Sequence, residues 1–262
     1  MTIVGFDADQ DCSRVAAAAK AKGVGFICRY LKNLTAAEVR AITDAGLKLV
    51  SIFETTAERA LAGAAAGAED GAAALAAAAR LGQPAGAAIY ATADFGETAP
   101  QDPAVVAYFS GFATAIAGKA KLGVYGEGAV CQAVLDAGVA DYTWLAGGSG
   151  MRGTAAFAAS GRATIAQDVG DKRGLNLGID IDSDVALVDD YGGWNLAAPV
   201  PLPSPSPAPE PAPDIDPAVS DFIVAVKRLQ TFLRAKGLYH DDVDGDFGPE
   251  SHAALAKYLE SK

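Results

Sequence analysis

Carboxylates are the side chains of this sequence whose positions could support catalysis. Asp7, Glu54 and Asp94 each stand at or directly after the end of a predicted strand, and Asp180 and Asp182 belong to the last strand. The last two are two residues apart and therefore share a face of that strand. A single aspartate at a strand end is usually a helix cap or a turn residue. Five carboxylates at four such ends indicate a shared acidic site instead.

The positions of the histidines limit which catalytic mechanisms residues 1–197 can use. Both of them, His240 and His252, lie near the end of the chain, so residues 1–197 contain none. Zinc hydrolases usually hold their metal through histidine, and Ser-His-Asp and Cys-His hydrolases need imidazole as the base. No glycine-rich dinucleotide or phosphate motif follows a predicted strand. We therefore expect carboxylate chemistry that uses neither a metal nor a cofactor.

Aromatic and amide side chains share these positions near the predicted strand ends. They are Tyr30, Tyr90, Tyr125, Trp144 and Gln167. Pyranose faces stack on aromatic rings, and two carboxyl groups acting together cleave most glycosidic bonds. The pattern predicts a carbohydrate site in which Asp7, Glu54, Asp94 and Asp182 are catalytic, while Asp180 and the aromatic and amide side chains bind the sugar.

Short apolar runs alternate with alanine-rich helical patterns through residues 1–197. The predicted strands are 3–6, 24–28, 47–53, 87–93, 122–125, 142–145, 164–167 and 177–181. This alternation predicts an α/β fold, a (β/α)8 barrel of the TIM type, and the missing glycine-rich motif disfavours the alternative of an open doubly wound sheet. Thr35 and Glu38 predict a capping box on the second helix, and glycine-rich connections predict stunted sixth and seventh helices. The strand ends of such a barrel open onto one face, where active sites are built.

A proline-rich segment divides the chain. Nine of the thirteen prolines lie in residues 199–217, a composition that favours an extended linker over helix or sheet. The sequence therefore predicts a barrel domain at 1–197, a linker at 198–217 and a small domain at 218–262.

Composition and charge exclude several classes of partner. The net charge of −11 and pI near 4.6 disfavour nucleic acid. The alanine-rich stretch at 57–81 is interrupted by charges and glycines, so no membrane insertion is expected. The three cysteines, Cys12, Cys28 and Cys131, are predicted to be free, buried thiols. We see no basic-then-apolar leader at the N-terminus, and nothing requires more than a monomer.

Several short motifs together resemble a known family. They are G-F-D at 5–7, G-F-I-C-R-Y-L at 25–31, S-I-F-E at 51–54, G-x-x-D-G at 67–71, I-Y-x-x-x-D-F at 89–95, G-V-Y-G at 123–126 and W-L at 144–145. They look like a glycoside-hydrolase-like family long catalogued as a domain of unknown function, which is similar in fold to the family 25 lysozymes (muramidases). The resemblance implies that Asp7, Glu54, Asp94 and the pair Asp180 and Asp182 are the active-site acids.

One motif departs from the lysozyme pattern. Family 25 muramidases carry Asp-x-Glu at the end of the fourth strand, whereas this chain has Asp94-Phe95-Gly96-Glu97. The resemblance then leaves either Glu54 or a displaced Glu97 to serve as the general acid.

The C-terminal residues resemble a peptidoglycan-binding module of the three-helix type. V-x-x-L-Q-x-x-L at 226–233 is helical in period, and D-G-D-F-G at 244–248 precedes a second helix. An EF-hand loop beginning at Asp242 would need glycine and glutamate where Phe247 and Ala253 stand, so a turn is predicted and not a calcium site. The resemblance implies a ligand groove near Tyr239, Asp244 and Phe247.

These patterns lead to one functional hypothesis and two alternatives. The hypothesis is a muramidase-type glycosidase that hydrolyses the glycan backbone of peptidoglycan and is anchored by its C-terminal domain. It resembles a phage endolysin, made in a host cytoplasm and released through a holin. Glu54 would protonate the leaving oxygen, Asp94 would stabilise the oxocarbenium-like centre, and Asp7 and Asp182 would position the sugar. The alternatives are an inactive wall-glycan-binding protein and a glycosidase for another polysaccharide.

Overall fold

The computed structural model describes residues 2–96, 98–148, 150–196 and 217–261. The chain divides into two compact units, Met1–Ala198 and Pro199–Lys262. The predicted linker at 198–217 lies almost wholly outside the described residues. Within those residues, no helix combines the length and the apolar character that a membrane span requires.

The first unit is a closed barrel of eight strands in sequence order. The strands are β1 (Ile3–Ala8), β2 (Phe26–Tyr30), β3 (Lys48–Phe53), β4 (Ala88–Ala93), β5 (Lys121–Gly126), β6 (Tyr142–Leu145), β7 (Ile165–Asp168) and β8 (Asp182–Ala186). The helices are α1 (Ala16–Ala21), α2 (Ala36–Asp44), α3 (Gly63–Arg80), α4 (Asp102–Ile116), α5 (Gly128–Asp136) and α6 (Thr154–Ala159). The predicted barrel is confirmed. The late helices are short, since α6 spans six residues and the described chain has no helix between β7 and β8.

The eighth strand differs from the prediction in position and direction. It was expected at 177–181, but it spans Asp182–Ala186 and pairs antiparallel with both β1 and β7. The apolar residues that suggested the earlier position, Leu177 and Ile179, pack on the outer cluster of the barrel near α1. Because β8 runs in reverse, its first residues lie at the same end as the last residues of the parallel strands.

A buried ion pair attaches α2 to the chain segment after β1. Thr35 caps α2 as predicted, with its Oγ1 accepting from Glu38 N at 3.2 Å. The Glu38 carboxylate does not return to Thr35, however, so the capping box is only half formed. It accepts instead from Arg29 Nε at 2.6 Å and from Cys12 N at 2.9 Å. Arg29 also donates to the carbonyl oxygen of Ala8. This buried pair therefore fixes the chain directly beyond Asp7.

The barrel interior is filled by alternate side chains from successive strands. The buried interior residues include Phe26, Cys28, Val50, Ile52, Tyr90, Tyr142, Trp144 and Ile165. Glycines on adjacent strands make room for the rings. A Cβ on Gly5 would come within 2.3 Å of the Phe26 ring, and a Cβ on Gly123 within 2.3 Å of the Tyr90 ring. The three cysteines are free and buried, as predicted.

The second unit contains two helices within residues 217–261, α7 (Pro217–Ala235) and α8 (Pro249–Glu260). The resemblance implied three. The connection between them stays irregular because a buried glutamine holds it: Gln230 Nε2 lies 2.8 Å from Asp244 Oδ1, and Gly245 N donates to Gln230 Oε1 at 3.0 Å. Leu233, Tyr239 and Ala254 form the small buried core.

Candidate active site

Asp7 and Asp182 form the centre of an acidic pocket at the open end of the barrel. The two residues are paired in register across β1 and β8, and Asp7 is only 8% exposed. The pocket above them has a volume of about 260 Å³ and is also lined by Asp9, Tyr30 and Asp180. Larger clefts elsewhere on the barrel, such as one beside Lys119 and Asp141, contain no comparable group of acids.

The pKa of the Asp7 carboxyl lies close to neutral pH. Burial is the main cause and raises its pKa to about 7, and the nearby charge of Asp182 adds to the effect. A hydrogen bond from Gln167 Nε2 to Asp7 Oδ2, at 2.7 Å, acts in the opposite direction. Around neutral pH, Asp7 can therefore exist as either an acid or a carboxylate.

Glu54 and Asp94 follow β3 and β4 at the same end of the barrel. Burial raises the pKa of the half-buried Glu54, and Lys32 Nζ, 3.9 Å from Glu54 Oε1, opposes that rise. Asp94 is more exposed, but partial loss of water around its carboxyl, and then the charge of Asp182, raise its pKa as well. Carboxylates from four strands thus influence one another at one face.

Gln167 is fixed in one orientation by its neighbours. Its Oε1 accepts from Tyr125 OH at 3.0 Å and from Gly147 N at 3.1 Å, which leaves Nε2 to donate to Asp7. The Tyr125 ring packs edge-on against Trp144, with 5.0 Å between ring centroids. Of the five predicted aromatic and amide residues, Tyr30, Tyr125 and Gln167 are partly exposed. Tyr30 lines the pocket, and Tyr125 and Gln167 line a small cavity beside Asp7.

Tyr90 and Trp144 lie below the site and not on its surface. Tyr90 is fully buried and its hydroxyl donates to the carbonyl oxygen of Tyr191 at 2.9 Å. Trp144 is 1% exposed and its indole Nε1 donates to Asp184 Oδ1 at 2.9 Å. Their predicted role as stacking platforms for a sugar does not fit this burial, because both rings are used to fill the barrel interior.

The remaining predicted acids take different positions. Asp182 Oδ1 accepts from Gly170 N, which ties the start of β8 to the preceding loop. Asp180 lines the pocket and is exposed, but it lies outside any strand. Glu97, the displaced candidate for the general acid, lies outside the described residues.

Asp184 is an acid at the site that sequence reasoning missed. It is fully buried on β8, where it pairs in register with Gly5, and its carboxyl is in hydrogen-bonding contact with that of Asp7. Asp180, Asp182 and Asp184 recur every second residue, which was the available signal. It was missed because the strand was expected to end at 181.

The described residues hold no group of three or more histidine, cysteine or acidic side chains arranged to bind a metal ion.

In the C-terminal unit, the predicted groove residues have internal partners. Tyr239 is buried and its hydroxyl donates to the carbonyl oxygen of Asp242 at 2.9 Å. Asp244 accepts from Gln230 and from Asp246 N, while Phe247 is partly exposed beside His252.

Residues 17–186 match the model of the family described as Rv2525c-like, glycoside hydrolase-like domain. The chain belongs to this family. The match spans most of the barrel and stops before the C-terminal unit. No curated protein sequence matches the chain.

Similar solved structures with TM-scores above 0.5 share the fold. The Tat-secreted protein Rv2525c of Mycobacterium tuberculosis, crystallised with L-tartrate, has a TM-score of 0.60 at 23% identity, covering 74% of this chain and 98% of its own. An uncharacterised protein of B. stearothermophilus has a TM-score of 0.55 at 20% identity, covering 70% and 95%. The catalytic domain of endolysin Ply40 from Listeria monocytogenes bacteriophage P40 has a TM-score of 0.49 at 13% identity, covering 73% and 96%.

Proposed function

We propose that the barrel is a glycoside hydrolase that cleaves the glycan backbone of peptidoglycan. The observation that carries this proposal is the convergence of acids with raised pKa values, Asp7, Glu54 and Asp94, at one mouth of the barrel. Glycosidic cleavage needs one carboxyl group that keeps its proton near neutral pH and a second that is ionised. Membership in a glycoside hydrolase-like family supports the same chemistry.

Glu54 is the proposed general acid and Asp94 the proposed stabiliser of the oxocarbenium-like transition state. Glu54 is half-buried with a raised pKa, which suits a proton donor, and the more exposed Asp94 is better able to ionise. Position 96 is glycine, so the residues after the fourth strand do not supply an Asp-x-Glu pair, and Glu54 after β3 is the proposed acid in place of the displaced Glu97. Asp7 and Asp182 would hold sugar hydroxyls at the floor of the pocket.

Digestion of purified sacculi tests the proposal. We expect soluble muropeptides with new reducing ends, identified by mass spectrometry, from the wild-type protein. Glu54→Gln and Asp94→Asn should abolish them while the proteins still sediment with sacculi. Glu58→Gln is the matched control, since Glu58 is exposed and lies before the 3-10 turn of Arg59–Ala62. Unchanged release by Glu54→Gln would remove Glu54 from the role of acid.

A wall-glycan-binding protein without hydrolytic activity is the second candidate. The glycine at position 96, where lysozymes of family 25 have glutamate, favours it. This candidate predicts saturable binding to sacculi and no new reducing ends at any protein concentration. Hydrolysis of chitin or an α-glucan with intact peptidoglycan would instead identify a glycosidase for another polysaccharide.

The proposed role of the C-terminal unit is attachment to the wall. The support is the motif pattern at 226–248 and the separate compact unit that these residues belong to. Because Tyr239 and Asp244 are engaged in holding the loop, partly exposed Phe247 is the member of the predicted groove best placed for contact. A monomeric enzyme released to the wall through a holin is part of the same proposal.

A further inference from the structure

The Asp184 carboxyl is enclosed in the barrel interior, where burial favours its neutral form over the hydrogen bonds that it accepts. Its Oδ1 accepts from Trp144 Nε1 at 2.9 Å, and Cys28 Sγ lies 3.7 Å from its Oδ2. The side chain is 0% exposed, and its remaining polar contact is the carboxyl of Asp7. A buried carboxyl with an indole and a thiol as its other partners lacks the hydration that an ionised group requires.

The pocket and the barrel interior around the two carboxyls contain further acids. The nearest cations have other carboxylate partners, since Arg29 pairs with Glu38 and Lys32 lies beside Glu54. The titratable groups around the pair are Cys28 and Tyr30 on β2, Asp94 beyond β4, Tyr125 on β5 and Asp182 on β8. Asp9 and Asp180 also line the pocket, and Glu54 beyond β3 acts on Tyr30. Among the described residues that line the pocket and the interior here, none is lysine or arginine. Two touching carboxyls in such a site retain at least one proton between them.

We propose that Asp184 is a positioning residue that keeps the shared proton and donates it in a hydrogen bond to Asp7, so that Asp7 presents the single negative charge to the pocket. Access to the pocket decides which carboxyl is neutral. Each carboxyl accepts one N–H, Asp7 from Gln167 and Asp184 from Trp144. Asp7, however, opens to the pocket, which favours its ionised form, whereas Asp184 is fully buried. The inference rests on the proposed function only in that the pocket is taken to hold the substrate.

The arrangement has a consequence for stability. Burial raises the pKa of Asp184 well above its usual value. Its proton is therefore kept in the folded state and lost in the unfolded chain above about pH 4. A group with a raised folded-state pKa contributes stability at low pH that is lost as pH rises, so the wild-type protein should lose stability as pH increases through neutrality.

Asp184→Asn mimics the neutral form, because its amide oxygen can accept from Trp144 and its NH2 can donate to Asp7. Relative to wild type, its folding equilibrium constant should rise about tenfold per pH unit between pH 5 and 8, since one proton distinguishes the two proteins. Urea unfolding followed by tryptophan fluorescence reports on the barrel alone, because both tryptophans, Trp144 and Trp194, lie in it. If the ratio of the folding equilibrium constants of Asp184→Asn and wild type did not depend on pH, the proposal would be overturned.

Two further measurements separate this proposal from the proposed function. Asp184→Ala removes the acceptor for Trp144 and the donor for Asp7, and Asp184→Asn should restore the sacculus digestion that the alanine variant loses. Carbon-13 NMR of the wild-type carboxyls should show Asp7 titrating near neutral pH while Asp184 does not change between pH 5 and 8. If the carbon-13 titration of Asp184 had its midpoint in the ordinary range for aspartate, the proposal would be contradicted even if the asparagine variant failed to fold. These unfolding and NMR results hold whether or not the barrel cleaves glycan.

Discussion

Lys32 is a cation beside the proposed acid at the mouth of the barrel. Its ammonium lies 3.9 Å from Glu54 Oε1 and 5.0 Å from the centre of the Tyr30 ring. Because a nearby positive charge favours the carboxylate, Lys32 limits how far burial raises the pKa of Glu54. The protonation range of the proposed acid is therefore set by two opposed local effects.

Lys32→Met should raise the pKa of Glu54 and move the alkaline limb of the pH–activity profile to higher pH. The measurement is the rate of sacculus digestion across pH 4 to 9. Lys119→Met, on the exposed surface beside a cleft away from the site, is the control and should leave the profile in place. A profile that does not move in Lys32→Met would argue against Glu54 as the titrating acid.

Gln167→Leu should raise the pKa of Asp7 above its value of about 7, because the variant removes the hydrogen bond that favours the carboxylate. Protonated Asp7 stabilises the folded state at low pH, and this contribution to the free energy of unfolding is lost as pH rises through the pKa of Asp7. In the variant, the loss would therefore extend to higher pH than in wild type. The checks are the carboxyl carbon-13 titration of Asp7 and urea unfolding at several pH values. Gln132→Leu on α5 is the control. A lowered Asp7 midpoint would show that Gln167 does not act through this bond.

At the scale of elements, close contact between α3 and α4 fixes one side of the barrel wall. Glycines allow this contact: a Cβ on Gly67 would come within 1.9 Å of Tyr108 O, and a Cβ on Gly111 within 2.1 Å of Ala64 O. Both atoms in the way belong to backbone and cannot rotate aside. The helix that follows the Glu54 loop is thereby placed directly against the helix that follows the Asp94 loop.

Gly111→Ala should destabilise the barrel although alanine is the better helix former. Helix propensity favours alanine by about 1 kcal/mol, whereas overpacking typically costs about 1–3 kcal/mol and here meets rigid backbone. We expect a net loss of up to about 2 kcal/mol in the free energy of unfolding, measured in urea. Gly150→Ala, with nothing within 4 Å of its added Cβ, should be close to neutral. Equal stabilities of the two variants would contradict the close helix contact.

At the scale of the whole molecule, the C-terminal unit is small and depends on one buried amide. Besides Asp244 and Gly245, Gln230 contacts Tyr239 OH and Ser251 Oγ, each at 3.0 Å. A unit of this size has little apolar core to offset chain entropy. The loop between α7 and α8 is therefore the part of this unit most sensitive to a single substitution.

Gln230→Ala should unfold the C-terminal unit and leave the barrel folded. Each buried polar group that loses its partner costs about 1–3 kcal/mol, which is a large fraction of the stability of so small a unit. Circular dichroism should lose helical signal at a lower temperature, while tryptophan fluorescence, which reports on the barrel, keeps its wild-type transition. Sedimentation with sacculi should also be lost. Thr231→Ala, at an exposed position of α7, is the control, and wild-type sedimentation of Gln230→Ala would place wall binding elsewhere.

Local patterns in the sequence were sufficient to predict the barrel and to place Asp7, Glu54 and Asp94 at its open end. Alternating apolar runs and helical stretches predicted seven strands close to their observed bounds. Because these seven strands are parallel, carboxylates directly after them had to meet at one face of the barrel. Because residues 1–197 contain no histidine, the carboxylates of Asp7, Glu54 and Asp94 are the candidate acid and base groups of the barrel. These features depend on residue type and spacing along the chain, which sequence contains directly.

Tertiary structure alone decided the direction of β8, the position of Asp184 and the burial of Tyr90 and Trp144. Leu177 and Ile179 have the pattern of a strand, but they pack outside the barrel, so β8 begins later and runs antiparallel. Whether an aromatic ring faces substrate or fills the interior depends on which glycine lies across from it, as Gly123 does for Tyr90. Such contacts join residues that are far apart in the chain. The pattern of apolar and polar residues in one strand therefore does not show which side chains of another strand it will meet.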